Sequence, residues 1–243
     1  MDKLKVAIVG ATGIVGEQFI VALQDHPWFE IARLAASPRS AGKPYKEALR
    51  DPATSSLRWY CQEMPSDEVL EIEVEDAAKL DPKKIDLIFS AVGSSVAKEL
   101  EPRFAAEVPV LSTASAHRYE EDVPVMLPGI NFEHTALIET QQKNRGWKGF
   151  IAPQPNCTTV GLVTSLKPIL DRFGIARVVM TSLQAVSGAG RIGGVLALDI
   201  LDNVIPYISK EEEAVERETL KILGTAVDGR IVPCDFKISA TCT

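Results

Sequence analysis

Residues 153–161 read PQPNCTTVG, which places Cys157 after two prolines and just before an apolar pattern of helical spacing. Pro153 and Pro155 hold an extended approach, and Val160, Val163, Leu166 and Leu170 then recur on one helical face. Pro168 is expected to kink or end that helix early. Cys157 therefore falls at a helix N-terminus, where the dipole favours a thiolate. First-turn N–H groups there are free to meet a developing oxyanion. On this pattern alone a nucleophilic thiol and a packed, inert one both stay open.

A second constellation lies near the N-terminus, where VAIVGATGIVG sets Gly10, Gly13 and Gly16 between a strand pattern and a helix pattern. Glycine allows a tight turn, close approach of a phosphate to the backbone, and close packing of helix on sheet. The following helix offers its N-terminal N–H groups to the phosphate. The spacing is G-x-x-G-x-x-G rather than G-x-G-x-x-G, so the flanking strand and helix carry the reading. Gly10, Thr12, Gly13, Ile14, Val15 and Gly16 are the candidate dinucleotide-binding residues. An NAD site carries an acid about 20 residues further on. This chain has AASPRSAGK there, with Ser37, Arg39, Ser40 and Lys43 and no acid. A cation with hydroxyls suits a 2′-phosphate, so NADP is the expected cofactor; a solvated basic loop is the alternative.

Elements must hold these groups. KVAIV, FEIARLAAS, the alternating LEIEVE at 70–75, IDLIFSAV at 85–92 and VPVLSTAS read as strands. Helical stretches lie between them, one over 97–107 despite Pro102 and one ended by His26-Pro27. Alternating strands and helices mean a doubly wound parallel sheet, an α/β Rossmann-like domain expected over 1–152. A second, α+β domain is expected over 153–243, with a long strand at 176–187, an acidic-then-basic helix at 209–224, and a last strand in CDFKISATCT. The chain stops on that strand without turn chemistry or a closing helix, so this domain is expected to be incomplete.

Composition narrows the class. The 243 residues are 46% apolar, enough for a sizeable core, and the net charge of −7 argues against a nucleic-acid or anionic-membrane binder. No apolar run approaches the ~18 residues of a membrane span, and no signal peptide opens the chain. The cytoplasm is the expected compartment. The four cysteines are irregularly spaced and form neither a disulfide framework nor a zinc pattern, so no metal is expected.

Taken in order, GATGIVG, ASPRSAGK, SAV, STASAHR, PNCTTVG, LQAVSGAG and ERETLKILG resemble aspartate-semialdehyde dehydrogenases of the archaeal and fungal type. The resemblance spans essentially the whole chain. It implies NADP-dependent reductive dephosphorylation of L-aspartyl 4-phosphate to L-aspartate 4-semialdehyde, on the route to lysine, threonine and methionine. By the same resemblance Cys157 is the nucleophile, Gln184 orients the acyl intermediate, and Asn156 lines the substrate pocket. Ser187, Gly188, Ala189 and Gly190 match the loop beside the nicotinamide. Arg118 and Lys221 match phosphate ligands, and Glu218 a residue that meets the substrate amine. A homo-oligomer, dimer or tetramer, is implied for the full-length enzyme. Glu218 and Lys221 also share a helix face at i,i+3 spacing, where a surface ion pair is the plain alternative.

The chemistry fits these residue types. A thiolate displaces phosphate to give a thioester, hydride reduces it to a hemithioacetal, and collapse to the aldehyde needs a group titrating near neutrality. The resemblance puts that histidine, with an arginine for the substrate carboxylate, in a segment reading RVPV…GHT, expected beyond Thr243. His26, His117 and His134 match no such role. The chain is accordingly expected to be a fragment with little or no turnover. Thr113 and Gly129 stand where relatives often have asparagine and glutamate. Rival readings are malonyl-CoA reductase, N-acetylglutamyl-phosphate reductase, and a non-catalytic dinucleotide-binding module.

Overall fold

The computed structural model describes residues 2–189 and 197–243, which fall into two compact units. The first comprises Met1–Pro124 with Ile138–Gln154, the second Val125–Leu137 with Pro155–Thr243. The boundary is thus less contiguous than the 152/153 division expected. Val125 is fully buried among Val163, Ile222, Leu223 and Phe236, and that core draws its segment into the second unit.

In the first unit six strands form one sheet: β1 (Leu4–Val9), β2 (Phe29–Ala36), β3 (Val74–Asp76), β4 (Leu87–Ser90), β5 (Val110–Ser112) and β6 (Ile151–Pro153). All pairings are parallel, in the order β3-β2-β1-β4-β5-β6. Strand order reverses between β1 and β4, and such a switch point opens a ligand crevice at the carboxyl ends of the strands. The strands are apolar on both sides because helices cover both faces. Ala7, Val9, Ile88 and Val110 meet Leu100, Phe104 and Ala105 in one core; Val6, Ile8 and Leu34 meet Ile20, Tyr45 and Leu49 in the other. The helices are α1 (Ile14–Leu23), α2 (Tyr45–Ala48), α3 (Asp67–Leu70), α4 (Ser94–Ala105) and α5 (Ala136–Arg145).

The alternating run 70–75 differs from expectation. Its start is the end of α3, whose N-cap Ser66 accepts a hydrogen bond from the Val69 N–H, and β3 keeps only three residues. Helix α4 runs through Pro102 as expected.

The second unit contains α6 (Cys157–Phe173), β7 (Arg177–Ser182), α7 (Ala197–Ile200), α8 (Glu211–Ile222), β8 (Thr225–Val227), β9 (Arg230–Val232) and β10 (Lys237–Cys242). Strands β7 and β10 pair in parallel, and β8–β9 is an antiparallel hairpin. Asp228 and Gly229 turn that hairpin, both with positive φ. Strand β7 is shorter than the 176–187 expected. Helix α6, by contrast, passes through Pro168 to Phe173 without ending. Pro168 and Thr164 are both exposed, so water can replace the helical partner that the Thr164 carbonyl loses there. Among the described residues no helix is long and apolar enough to cross a membrane.

Candidate active site

Cys157 is the first residue of α6 and its side chain is exposed. Asn156 is the N-cap: its Oδ1 accepts from the N–H groups of Thr158 at 2.8 Å and Thr159 at 3.4 Å. Those two first-turn donors are therefore occupied, contrary to the free set expected from the sequence. Asn156 is itself held from the far side by α8. Its backbone N–H donates to Glu218 Oε2 at 2.7 Å, and its side-chain Nδ2 to Glu211 Oε2 at 2.8 Å. Glu211 and Glu218 are seven residues apart, two helical turns, so both carboxylates point the same way.

The other oxygen of Glu211 extends the set. Glu211 Oε1 accepts from Thr158 Oγ1 and from Gln184 Nε2, each at 3.0 Å. Gln184 follows β7, and its backbone N–H donates to the Thr243 carbonyl at 2.8 Å. One carboxylate thus joins the residue before Cys157, the residue after it, and the candidate glutamine. Glu211 was not among the residues singled out from the sequence, where 209–224 reads as an acidic-then-basic helix. The i,i+7 repeat of glutamate at 211 and 218 is the signal that could have found it. Glu218 is fully buried against the Asn156 N–H, and Lys221 lies one turn further along α8. Ser187, Gly188 and Ala189 form part of a short 3-10 turn, and Gly190 lies outside the described residues.

The remaining thiols are less open to water than Cys157. Burial pushes the Cys61, Cys234 and Cys242 thiols up, although only Cys242 is a core residue.

In the first unit the glycine turn has the geometry a phosphate needs. Gly10 has φ +89°, and a Cβ on it would stand 2.5 Å from the Ala91 carbonyl oxygen. A Cβ on Gly16 would stand 2.3 Å from the Gly10 carbonyl oxygen, so only glycine lets α1 pack this close to β1. Gly13 is the N-cap of α1 and offers no side-chain cap, which leaves the N–H groups of Ile14 and Val15 for a ligand. The buried Tyr45 hydroxyl, another residue missed from the sequence, donates to the Ala11 carbonyl at 2.7 Å and braces the turn. After β2, Ser37 and Arg39 are exposed and Ser40 is buried, with its N–H bonded to the Ser37 carbonyl. Arg39 forms no ion pair among the described residues, and no acid stands at the end of β2 to hold a ribose. The residues present therefore fit a dinucleotide, and an exposed cation follows β2. Arg118 is buried after β5 and its Nη2 donates to the Thr113 carbonyl at 3.0 Å.

Two family descriptions match the sequence. Residues 5–138 match the semialdehyde dehydrogenase NAD-binding domain, and residues 166–243 the semialdehyde dehydrogenase dimerisation domain. The chain belongs to the semialdehyde dehydrogenase family. Among curated members of this family, aspartate-semialdehyde dehydrogenase of Archaeoglobus fulgidus is 47% identical over 99% of this chain and 67% of its own length. That of Methanothermobacter thermautotrophicus is 46% identical over 98% of this chain and 66% of its own. The chain thus spans about two thirds of the length of these relatives. A crystal structure of aspartate-semialdehyde dehydrogenase with NADP from Candida albicans superimposes with a TM-score of 0.85 at 38% identity, covering 99% of this chain and 67% of that one. Aspartate-semialdehyde dehydrogenase II of Vibrio cholerae, solved with ASA, gives 0.69 at 30% identity, covering 100% of this chain and 67% of that one. The stretch matched to the NAD-binding domain carries β1 to β5 of the Rossmann-like sheet, and the unit bearing Cys157 contains the stretch matched to dimerisation.

Proposed function

We propose that the chain takes part in the NADP-dependent reductive dephosphorylation of L-aspartyl 4-phosphate to L-aspartate 4-semialdehyde, within biosynthesis of lysine, threonine and methionine. The observation that carries this reading is Cys157 at the start of α6, flanked by an asparagine that α8 holds at both backbone and side chain. In this reading the exposed thiol attacks an acyl phosphate, forming a thioester and releasing phosphate. Gln184, anchored on Glu211, orients the acyl group. Glu218 fixes the Asn156 backbone, which makes it a support for the pocket in addition to a partner for the substrate amine. Arg118 and Lys221 supply cationic groups for phosphate. NADP, when bound, supplies the hydride; Gly10, Thr12, Gly13, Ile14, Val15 and Gly16 hold its pyrophosphate, Ser37, Arg39 and Ser40 its 2′-phosphate, and Ser187 to Gly190 flank its nicotinamide. The Candida albicans relative, solved with NADP, supports this cofactor choice.

A homo-oligomer fits the second unit. On β7 the outward residues include Val179, 79% exposed, and Leu183 beyond the strand is 82% exposed. Apolar groups so open to water favour cover by a second copy.

The test isolates the first chemical step. The chain is incubated separately with aspartyl 4-phosphate and with malonyl-CoA, and Cys157 is followed by intact-protein and peptide mass spectrometry. An aspartyl adduct on Cys157, absent from Cys157→Ser, is the expected result. A malonyl adduct in its place would make the chain a CoA-thioester reductase, and no adduct with either would sink the catalytic reading.

A further inference from the structure

We propose that Glu211 is a positioning residue for the acyl-transfer step: its carboxylate sets the orientation of the Asn156 and Gln184 amides around Cys157. The inference rests on the thioester chemistry proposed above. Neither family description nor the motif resemblance assigns any role to this glutamate.

Three donors converge on it. Nδ2 of Asn156 reaches Oε2, while Nε2 of Gln184 and Oγ1 of Thr158 share Oε1. Two of these three are primary amides, and a primary amide has two faces. Asn156 has to present its oxygen to α6 to cap Thr158 and Thr159, and its nitrogen then points away. An acceptor on that side is what makes the cap orientation the better of the two. For Gln184 the other side-chain contact is a long bond of 3.4 Å to Ser182 Oγ, so Glu211 is the stronger anchor. Bonds to a carboxylate are roughly twice as strong as those between neutral groups, so both amides are held in one orientation before substrate arrives.

Only a carboxylate meets this demand. In Glu211→Gln one of the two oxygens becomes an NH2 group. Turned toward Asn156 it faces a donor; turned toward Gln184 it faces a donor again. Either way one amide loses its anchor, although the side-chain volume is kept. The substitution therefore separates positioning from packing. Displacing a reacting or orienting group by about 1 Å can cost about a hundredfold in rate.

The neighbouring Glu212 provides the control. It carries the same charge one residue away, but its Oε1 accepts from the Cys242 N–H on the edge of β10. Removing that charge alters the local field without touching Asn156 or Gln184.

The experiment compares wild type, Glu211→Gln, Glu211→Ala and Glu212→Gln in the acylation half-reaction with aspartyl 4-phosphate. It follows phosphate release and the Cys157 adduct over a range of acyl phosphate concentrations. Iodoacetamide alkylation of Cys157 and the far-UV circular dichroism melt are measured in parallel. The expected result for Glu211→Gln is a fall of at least about thirtyfold in the saturating acylation rate, with the half-saturating concentration changed less than about threefold. Alkylation is not slowed and the melt stays close to wild type, because the thiol and the fold are intact. Glu212→Gln acylates within about threefold of wild type.

The proposal is overturned if Glu211→Gln acylates at the wild-type rate. It is equally overturned if Glu212→Gln loses as much, which makes the effect one of charge alone, or if alkylation falls in step with acylation, which makes it one of structure. Should Glu211→Ala fail to fold, the near-isosteric Gln variant decides. A wild-type chain that forms no thioester at all overturns the functional reading, and this inference with it. A wild type that acylates beside an unaffected Glu211→Gln overturns the positioning role alone.

Discussion

The ring of His134 accepts at Nδ1 from the Asn131 side-chain amide and donates from Nε2 to the Gly224 carbonyl, at 3.0 Å each. The same amide also donates to the Val125 carbonyl at 2.8 Å, and the ring is fully buried. A second proton on the ring would face a donor, and the charge would have no water. Burial is the larger influence and holds the imidazole below its usual range, opposed by the Gly224 carbonyl and aided by the positive charge of Lys221. The folded chain thus binds a proton here less readily than the unfolded one. Stability from this residue is present above the unfolded value of about 6.5 and is lost as pH falls below it, down to the folded value. Urea denaturation between about pH 7.5 and 5.5 should show this loss. His134→Gln, which carries no titrating group, should flatten that slope whatever it does to absolute stability; an unchanged slope would exclude His134 as its source.

Helix α4 ties two central strands together through one buried side chain. Glu101 Oε1 accepts from Ser90 Oγ at 2.7 Å and from Ser112 Oγ at 2.6 Å, and these serines end β4 and β5. Ser112 Oγ in turn accepts from the Ala114 N–H, so the carboxylate also fixes the start of the loop that carries Arg118. Glu101→Ala strands two buried hydroxyls and opens a cavity, and should lower stability by about 2 to 4 kcal/mol in chemical denaturation. Glu101→Gln keeps an acceptor for the serines and should lose less than half as much. Equal losses in the two variants would show that the serine contacts contribute nothing.

Such tertiary contacts explain what the sequence could and could not disclose. The strands near the sheet centre, KVAIV and IDLIFSAV, were legible because burial on both faces demands continuous apolar runs. The edge was not: at 70–75 the alternation is real, but its first residue serves α3. Pro168 does not end α6, because it lies on the exposed side, where water can take the hydrogen bond its missing N–H forgoes. Cys157, Asn156 and Gln184 stand in motifs that the sequence displays openly. Glu211 was hidden because a glutamate at a helix start already has a sufficient local reason to be there. Its neighbours behave alike: Glu212 and Glu216 accept from the Cys242 and Ala240 N–H groups on the outer edge of β10, each at 3.0 Å.

For the whole molecule, 33 acidic side chains against 26 basic ones give a mean field that repels the phosphorylated ligands proposed for it. At physiological ionic strength that field is screened over about 8 Å, so affinity has to come from local donors. In the proposed reading the uncapped start of α1 serves any dinucleotide alike, because its N–H groups would address the pyrophosphate. Arg39 is different: exposed, beyond β2 and unpaired among the described residues, it can distinguish a 2′-phosphate from a 2′-hydroxyl without affecting the rest of the cofactor. A ligand that binds only the folded chain raises its stability by about 2.7 kcal/mol at a hundredfold excess over Kd. NADPH should therefore raise the melting temperature more than NADH at equal concentration. Arg39→Ala should remove most of the NADPH excess and leave the NADH shift nearly unchanged, since an exposed side chain with no ion pair contributes little to the fold itself. Equal loss of both shifts would place Arg39 at the pyrophosphate or in the structure of the loop, and the choice of NADP would then need another residue to carry it.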